Sequence, residues 1–240
     1  MAGLIQINQA LDRSALASQF SKHGRLQVRD VLDPASAGAI QRILAERTPW
    51  GFACQAGGSA AARLIRAEQL AKLPQSVLRQ LAATAAADAE YGFAYGSYPL
   101  VTAYLERWHP GSVQEQLLGE LNSQPMLDFM REVTGIADIV KMDGQATLYA
   151  PGHFLRPHND EESERGRRVA YVLNLTIGEW QPQWGGYLNF FDGDWDIEQA
   201  FRPRFNCLNL FRVPQWHSVG EVSAGAPLTR YALTGWARDR

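Results

Sequence analysis

Residues 145–160 read QATLYAPGHFLRPHND. QATLYA and LRPHND are β-type runs, and the APG between them supplies a turn. Alternate residues of an extended strand share a face, so His158 and Asp160 project the same way and offer one imidazole and one carboxylate to a shared centre. Taken alone, this His-x-Asp pair reads equally well as two solvated polar residues in a loop. Its meaning depends on what the rest of the chain adds.

The texture of residues 145–160 continues to the end of the chain. RVAYVLNLT, GGYLNFF, CLNLFRV, HSV and RYALTGWA are further short apolar runs, broken by Gly, Pro and Asp. Seven short strands in about 95 residues predict a sandwich or jelly roll. The spacing leaves no room for helical crossovers, which argues against a parallel α/β sheet. Residues 1–140 are helical in character. In PASAGAIQRILAER, Asp33 is placed to cap a helix whose first turn holds Pro34. Further helices are expected near 66–72, 74–90 and 122–134, and GRLQVRDVLD is expected to be the one short strand of this half. TPWGFACQAGGSAA, residues 48–61, reads as a loop and a candidate lid. Loops 48–61 and 192–204 are the expected determinants of substrate choice. The expected class is α+β: one domain over 1–240, with 1–140 as helical support and 141–240 as a jelly-roll core.

Three more residues bear on the pair. His217, in VPQWHSVG, follows an apolar strand and sits at a strand end. Two imidazoles and one carboxylate on neighbouring jelly-roll strands form the ligand set that suits non-haem Fe(II) and leaves open coordination positions. Zinc accepts the same ligands but needs no anion anchor. Arg230 is the candidate anchor: on TRYALTGWA it shares a face with Ala232, Thr234 and Trp236, against Tyr231 and Leu233 on the other. The apolar company on both faces favours an inward side chain over an outward one with a surface ion pair. An arginine pointing into a barrel needs an anion, and its planar fork fits a carboxylate. Thr234 offers a hydroxyl to that anion. Tyr149 fits either a hydrogen bond to an organic acid or the core.

Composition sets limits. The chain has 240 residues, 46% hydrophobic and 20% charged, as in an ordinary globular protein. A net charge of −2 gives no general drive towards nucleic acid or anionic membrane. The arginine clusters 165/167/168 and 202/204/212 read as solvated rims. Two widely separated cysteines, Cys54 and Cys207, fit a reducing compartment. No run is long enough to span a bilayer, and the first twenty residues lack the basic start of a signal peptide. The expected location is cytoplasmic; nothing in the sequence indicates an oligomeric state.

The order Tyr149…His158-x-Asp160…Arg167-Arg168-Val169…Trp180…Gly185-Gly186…Pro203…Asn206…Phe211…His217-x-Val219…Arg230-Tyr231-Ala232-Leu233-Thr234-x-Trp236 closely resembles the prolyl 4-hydroxylase-like branch of the 2-oxoglutarate/Fe(II)-dependent dioxygenases. The resemblance covers about residues 140–238 in detail, and LQVRDVLDPASAGAIQRIL resembles the opening of such domains. It implies a double-stranded β-helix with Fe(II) held by His158, Asp160 and His217. It also implies 2-oxoglutarate held by Arg230, assisted by Thr234 and beside Tyr149, with O2 as oxidant and ascorbate as an optional addition. The implied reaction hydroxylates a C–H bond and releases succinate and carbon dioxide. The implied substrate is a prolyl residue of a peptide or protein. The alternatives are a free amino acid or other small metabolite, or a non-catalytic cupin-like metal-binding module. Asn174 stands where some members carry a tyrosine that touches the far carboxylate. Asp160 argues against the halogenating relatives, which replace that carboxylate. Trp184, Trp195 and Trp216 are candidates for an aromatic wall at the mouth, although tryptophans in a β core are more often structural.

Overall fold

The computed structural model describes residues 3–56, 61–87, 91–161 and 166–240. Before residue 140 the chain forms β1 (Arg25–Arg29), β2 (Gly51–Ala56), β3 (Arg63–Ile65) and β4 (Gly92–Tyr98). After it come β5 (Lys141–Met142), β6 (Gln145–Tyr149), β7 (Phe154–His158), β8 (Arg167–Asn174) and β9 (Leu188–Phe191). The last four are β10 (Ile197–Phe201), β11 (Cys207–Arg212), β12 (His217–Val219) and β13 (Arg230–Arg238). The helices are α1 (Arg13–His23), α2 (Pro34–Arg42), α3 (Ala67–Leu70), α4 (Gln75–Ala87), α5 (Leu100–Leu105), α6 (Val113–Leu121) and α7 (Gln124–Thr134). None of these helices is long and apolar enough to cross a membrane.

The main sheet runs β1-β11-β8-β13-β6-β4-β7-β12-β9-β10, and every pairing along it is antiparallel. The sheet curls until its two edges meet. Arg25 of β1 makes an ion pair with Glu198 of β10, and the Gln27 amide donates to the Arg202 carbonyl at 3.2 Å. The result is a nearly closed jelly-roll barrel with helices packed on one side, the α+β architecture expected from the sequence.

Strand alternation divides the residues between two layers. On β8, Val169, Tyr171 and Leu173 join a core with Phe20, Ile40, Leu44, Leu117, Phe129 and Met130 of the helical layer. Ala170 and Val172 face the barrel interior with Phe190, Phe211 and Ala232. β13 divides likewise, with Leu233 and Ala237 in the helix-facing core. Both faces of these strands are buried, so they read as continuous apolar runs rather than alternating ones. The predicted cap of α2 is present: the Asp33 carboxylate accepts from the Ala35 N–H at 2.9 Å, with Pro34 in the first turn.

Three expectations change. The described residues of 1–140 supply four strands, not one. Within 48–61, expected as a loop and candidate lid, residues 51–56 are β2, paired with both β3 and β4; residues 57–60 lie outside the described residues. The loop signal came from small residues that the packing requires. A Cβ on Gly51 would sit 2.5 Å from the Ile65 carbonyl oxygen, and one on Gly96 of β4 would sit 2.9 Å from Leu148 Cβ. Finally, 192–204 is not all loop, because it contains β10, hydrogen-bonded to β9.

Asn206 ties the N-terminal segment to the barrel. Its amide accepts from the Leu32 N–H at 3.0 Å and donates to the Leu32 carbonyl at 2.7 Å, at a buried position. Asn206→Ala leaves both backbone groups without that partner and should cost about 2–4 kcal/mol of stability, at roughly 1–2 kcal/mol per lost bond. Denaturant unfolding of the variant checks this; a change within experimental error would show that the tie is unimportant.

Candidate metal centre

β7 ends at His158 and β12 begins at His217, and the two residues face each other in the ladder. Their ring centroids are 4.1 Å apart. Strand parity is not what adds Asp160. β7 has ended, and Asp160 sits in a bend at φ +65°, a left-handed conformation that returns its carboxylate towards the rings. The distances are 3.6 Å from His158 Nε2 to Asp160 Oδ1 and 3.8 Å from His217 Nε2 to Asp160 Oδ2. One donor atom from each of the three residues lies within 4.8 Å of the others, the one such cluster found among the described residues.

The surroundings fix the state of each donor. His158 Nδ1 is 2.9 Å from the Arg156 carbonyl, and His217 Nδ1 is 2.8 Å from that of Gln215. A carbonyl can only accept, so each Nδ1 carries the proton and each Nε2 presents a lone pair to the centre. Burial, and then the neighbouring His158, push His217 down to about 3, which keeps its imidazole neutral. Trp236 Nε1 donates to Asp160 Oδ2 at 3.0 Å. Arg167 lies with its guanidinium 3.4 Å above the Trp236 ring and its Nη1 4.0 Å from Asp160. Two imidazoles, an oriented carboxylate and an adjoining cavity fit a non-haem Fe(II) ion with open positions.

Arg230 meets the second requirement. It is 1% exposed, and among the described residues no carboxylate lies within ion-pair distance of it. Its Nη1 donates to the Gly186 carbonyl at 2.8 Å, and its Nε makes a long 3.4 Å contact with the Asn174 side-chain oxygen. Its guanidinium lies 5.2 Å from the Tyr149 ring centroid, across the β6–β13 register. Burial lowers it to about 10, so it stays charged at neutral pH. A cation so enclosed calls for an anion. A cavity of about 220 Å3 connects it to the triad; Tyr91, Tyr95, Gln145, Thr147, Tyr149, Arg167, Val172, Thr234 and Trp236 are among its other lining residues.

The sequence-derived candidates do not all serve alike. His158, Asp160, His217, Arg230, Tyr149 and Thr234 line one cavity. Thr234 is four residues beyond Arg230, about 13 Å along a strand rising roughly 3.3 Å per residue. Its hydroxyl therefore meets a different part of the cavity from the guanidinium. Asn174 is fully buried behind Arg230 and orients it without lining the cavity. Burial, then Tyr95, raises the Tyr149 phenol far above its usual range, so it stays protonated. The three tryptophans proposed for the mouth do not line the cavity: Trp184 packs edge-on against Trp180 at 5.5 Å, and Trp195 and Trp216 are on the surface. Sequence reading missed Tyr91, just before β4, and Tyr95, on β4, a strand it did not recognise. It also missed Gln145 and Thr147, although their two-residue spacing from Tyr149 was a usable signal. Arg167 was grouped with a solvated rim, yet its side chain is only 14% exposed; Arg168 is the one that faces solvent.

Fold and site together describe a jelly-roll protein with a two-histidine, one-carboxylate cluster able to hold a metal ion, in one cavity with a buried arginine. Residues 144–238 match the family described as 2OG-Fe(II) oxygenase superfamily. The match makes this segment that of a 2OG-Fe(II) oxygenase, a dioxygenase whose family works with Fe(II), 2-oxoglutarate and O2. Solved structures similar to the chain include a Pseudomonas putida prolyl-4-hydroxylase (21% identity, 100% of this chain and 97% of that one covered, TM-score 0.56). Another is a Trichoplax adhaerens prolyl hydroxylase in complex with a hypoxia inducible factor oxygen degradation domain peptide fragment (15%, 95% and 89% covered, TM-score 0.54). A third is SnoN, a non-heme alpha-ketoglutarate dependent epimerase from nogalamycin biosynthesis (14%, 93% and 80% covered, TM-score 0.54). No curated protein matches the chain. The resemblance to the 2-oxoglutarate/Fe(II)-dependent dioxygenases, read from the sequence, is borne out over residues 144–238, and the prolyl hydroxylases named above share the fold.

Trp236→Phe keeps a ring under Arg167 but removes the donor to Asp160. Metal affinity should fall about 10- to 100-fold, while His217→Ala should abolish tight binding. Titration of purified protein with Mn(II) checks both; wild-type affinity in Trp236→Phe would show that the indole does not orient the carboxylate.

Proposed function

We propose that the chain is an Fe(II)- and 2-oxoglutarate-dependent hydroxylase acting on a prolyl residue of a peptide or protein, with residues 1–240 as a single domain. The observation that carries the reading is Arg230: a fully buried arginine, without a carboxylate partner among the described residues, in the cavity that holds the triad. A plain metal-binding module has no need of that charge. His158, Asp160 and His217 would hold the metal, and Arg230 the far carboxylate of 2-oxoglutarate. Bound Fe(II), with 2-oxoglutarate and O2, would supply the oxidising chemistry, leaving succinate and carbon dioxide and transferring one oxygen atom to a substrate C–H bond.

The chain's own part is binding and orientation. Arg230 offers a charge-assisted fork, steered from behind by Asn174 and from one side by the Gly186 carbonyl. The Tyr149 ring covers its face. Gln145, Thr147 and Thr234 bring polar groups to the wall, while Val172, Leu188, Phe211 and Val219 keep water from much of it. The prolyl assignment is supported by the two prolyl hydroxylases among the structural neighbours and by the aromatic Tyr91 and Trp236 beside the metal ligands. Arg167 favours a second reading, a hydroxylase of a free amino acid or similar small acid, because it adds a cation to the metal end of the same cavity.

Purified protein given Fe(II), 2-oxoglutarate and O2 should form succinate, and Asp160→Ala should abolish this turnover. Absence of Fe(II)-dependent succinate would refute the enzyme assignment, and a 16 Da gain on peptides rather than amino acids separates the two readings. Arg230→Ala should raise the KM for 2-oxoglutarate about 10- to 100-fold, the effect of losing roughly 1.5–3 kcal/mol of charge-assisted hydrogen bonding. Mn(II) affinity measured without 2-oxoglutarate should stay the same; an unchanged KM would remove Arg230 from the cosubstrate site.

A further inference from the structure

The β9–β10 turn carries an aromatic surface that the cavity does not use. Trp195 is 55% exposed and Trp216 42% exposed, and their rings meet edge to face at 4.8 Å. Phe191 backs Trp195 at 6.0 Å, and Ile197 beside it is exposed as well. The turn is held from within. The Asp192 carboxylate accepts from the Asp194 and Asp196 N–H groups at 2.9 and 3.0 Å, and the Asp192 N–H donates to the Asp196 carbonyl at 3.1 Å. Trp195 is presented at φ +69°, a conformation unfavourable for a bulky residue. Such outliers tend to be kept where the surface has a use.

The location is the outer face of the barrel, at the strand ends that carry His158 and His217. Trp216 precedes the ligand His217 in the chain, its carbonyl accepts from the Phe191 N–H at 3.1 Å, and His217 pairs with Phe190. The charge is one-sided. Asp192, Asp194 and Asp196 are exposed, and none makes an ion pair among the described residues, whereas Glu198 is engaged by Arg25. Indole faces attract cations, and carboxylates beside them reinforce the attraction. An acidic or plainly apolar partner would leave one half of this surface unsatisfied.

We propose that Trp195 and Trp216, with Asp194 and Asp196, dock a lysine or arginine side chain of a peptide substrate beside the mouth of the cavity. The proposal rests on the peptide-hydroxylase reading and adds a charge preference to it. The cation would lie against the indoles while a neighbouring residue of the same extended segment enters the cavity, so the hairpin selects sequence context around the target.

The test uses the full chain and two unstructured proline-containing peptides, one bearing lysines on either side of the proline and the other glutamates. Calorimetry should show the lysine peptide binding in a salt-sensitive manner and the glutamate peptide failing to bind. The double variant Trp195→Ala/Trp216→Ala and the double variant Asp194→Asn/Asp196→Asn should each weaken the lysine peptide about fivefold or more. Succinate formation without peptide should be the same in all three proteins. Equal binding of the two peptides, or unaltered binding in both variants, overturns the proposal. So does a homodimer that Trp195→Ala/Trp216→Ala dissociates, since the pair would then be a subunit contact. Succinate without charge-selective binding defeats the docking site alone; charge-selective binding without succinate defeats the oxygenase reading alone.

Discussion

The double burial of β13 is the constraint from which the site follows. One face of this strand closes the core shared with the helices through Leu233 and Ala237. The other face therefore has nowhere to point but the barrel interior, and it carries Arg230, Ala232, Thr234 and Trp236. A slip of one residue would exchange the faces, placing a guanidinium in the helical core and leucine in the cavity. The pairing is held against that slip on both sides, by β6 and β8, over most of the strand's length. The helical layer thus specifies the register of the strand that carries both the buried Arg230 and the indole that donates to Asp160.

Both ends of the cavity are built where strands begin or stop. Arg230 is the first residue of β13, paired with Tyr149 of β6 and held by contacts to Asn174 and Gly186. In the triad, His158 is the last residue of β7, His217 the first of β12, and Asp160 lies beyond the ladder altogether. Residues at strand ends can converge on a point in a way that residues within parallel-facing ladders cannot. The cost is a left-handed backbone at Asp160, and the Trp236 hydrogen bond and the nearby Arg167 charge offset it by fixing the carboxylate.

What the sequence made legible follows from this arrangement. The apolar runs of β6, β8, β11 and β13 are long and rich in branched and aromatic residues, so the barrel could be read. Arg230 could be read because a charge on a doubly buried strand is anomalous. β2 and β4 were not legible, since their glycines and alanines exist to let Ile65 and Leu148 come close, and such strands resemble loops. The parity argument for His158 and Asp160 reached the right pair for the wrong reason. Side-chain direction past the end of a strand is set by a turn and by a hydrogen bond from Trp236, some 76 residues away in sequence. Arg167 was misread for the same cause, since adjacent Arg168 is exposed and only the tertiary stack on Trp236 distinguishes them.

The separation of Arg230 from Arg167 gives the cavity a direction. Two guanidiniums at one end would repel and would compete for the same anion. Here one is buried at the closed end, without a carboxylate among the described residues. The other stands near Asp160 at the metal end, where the negative ligand and the indole face accommodate it. A dicarboxylate entering the cavity meets an incomplete ion pair at the closed end and a partly neutralised one at the metal end. The difference in electrostatic need favours one orientation, with a carboxylate on Arg230 and the other terminus towards the triad. Orientation is therefore set by where each cation's charge is already met, before any contact with a metal is considered.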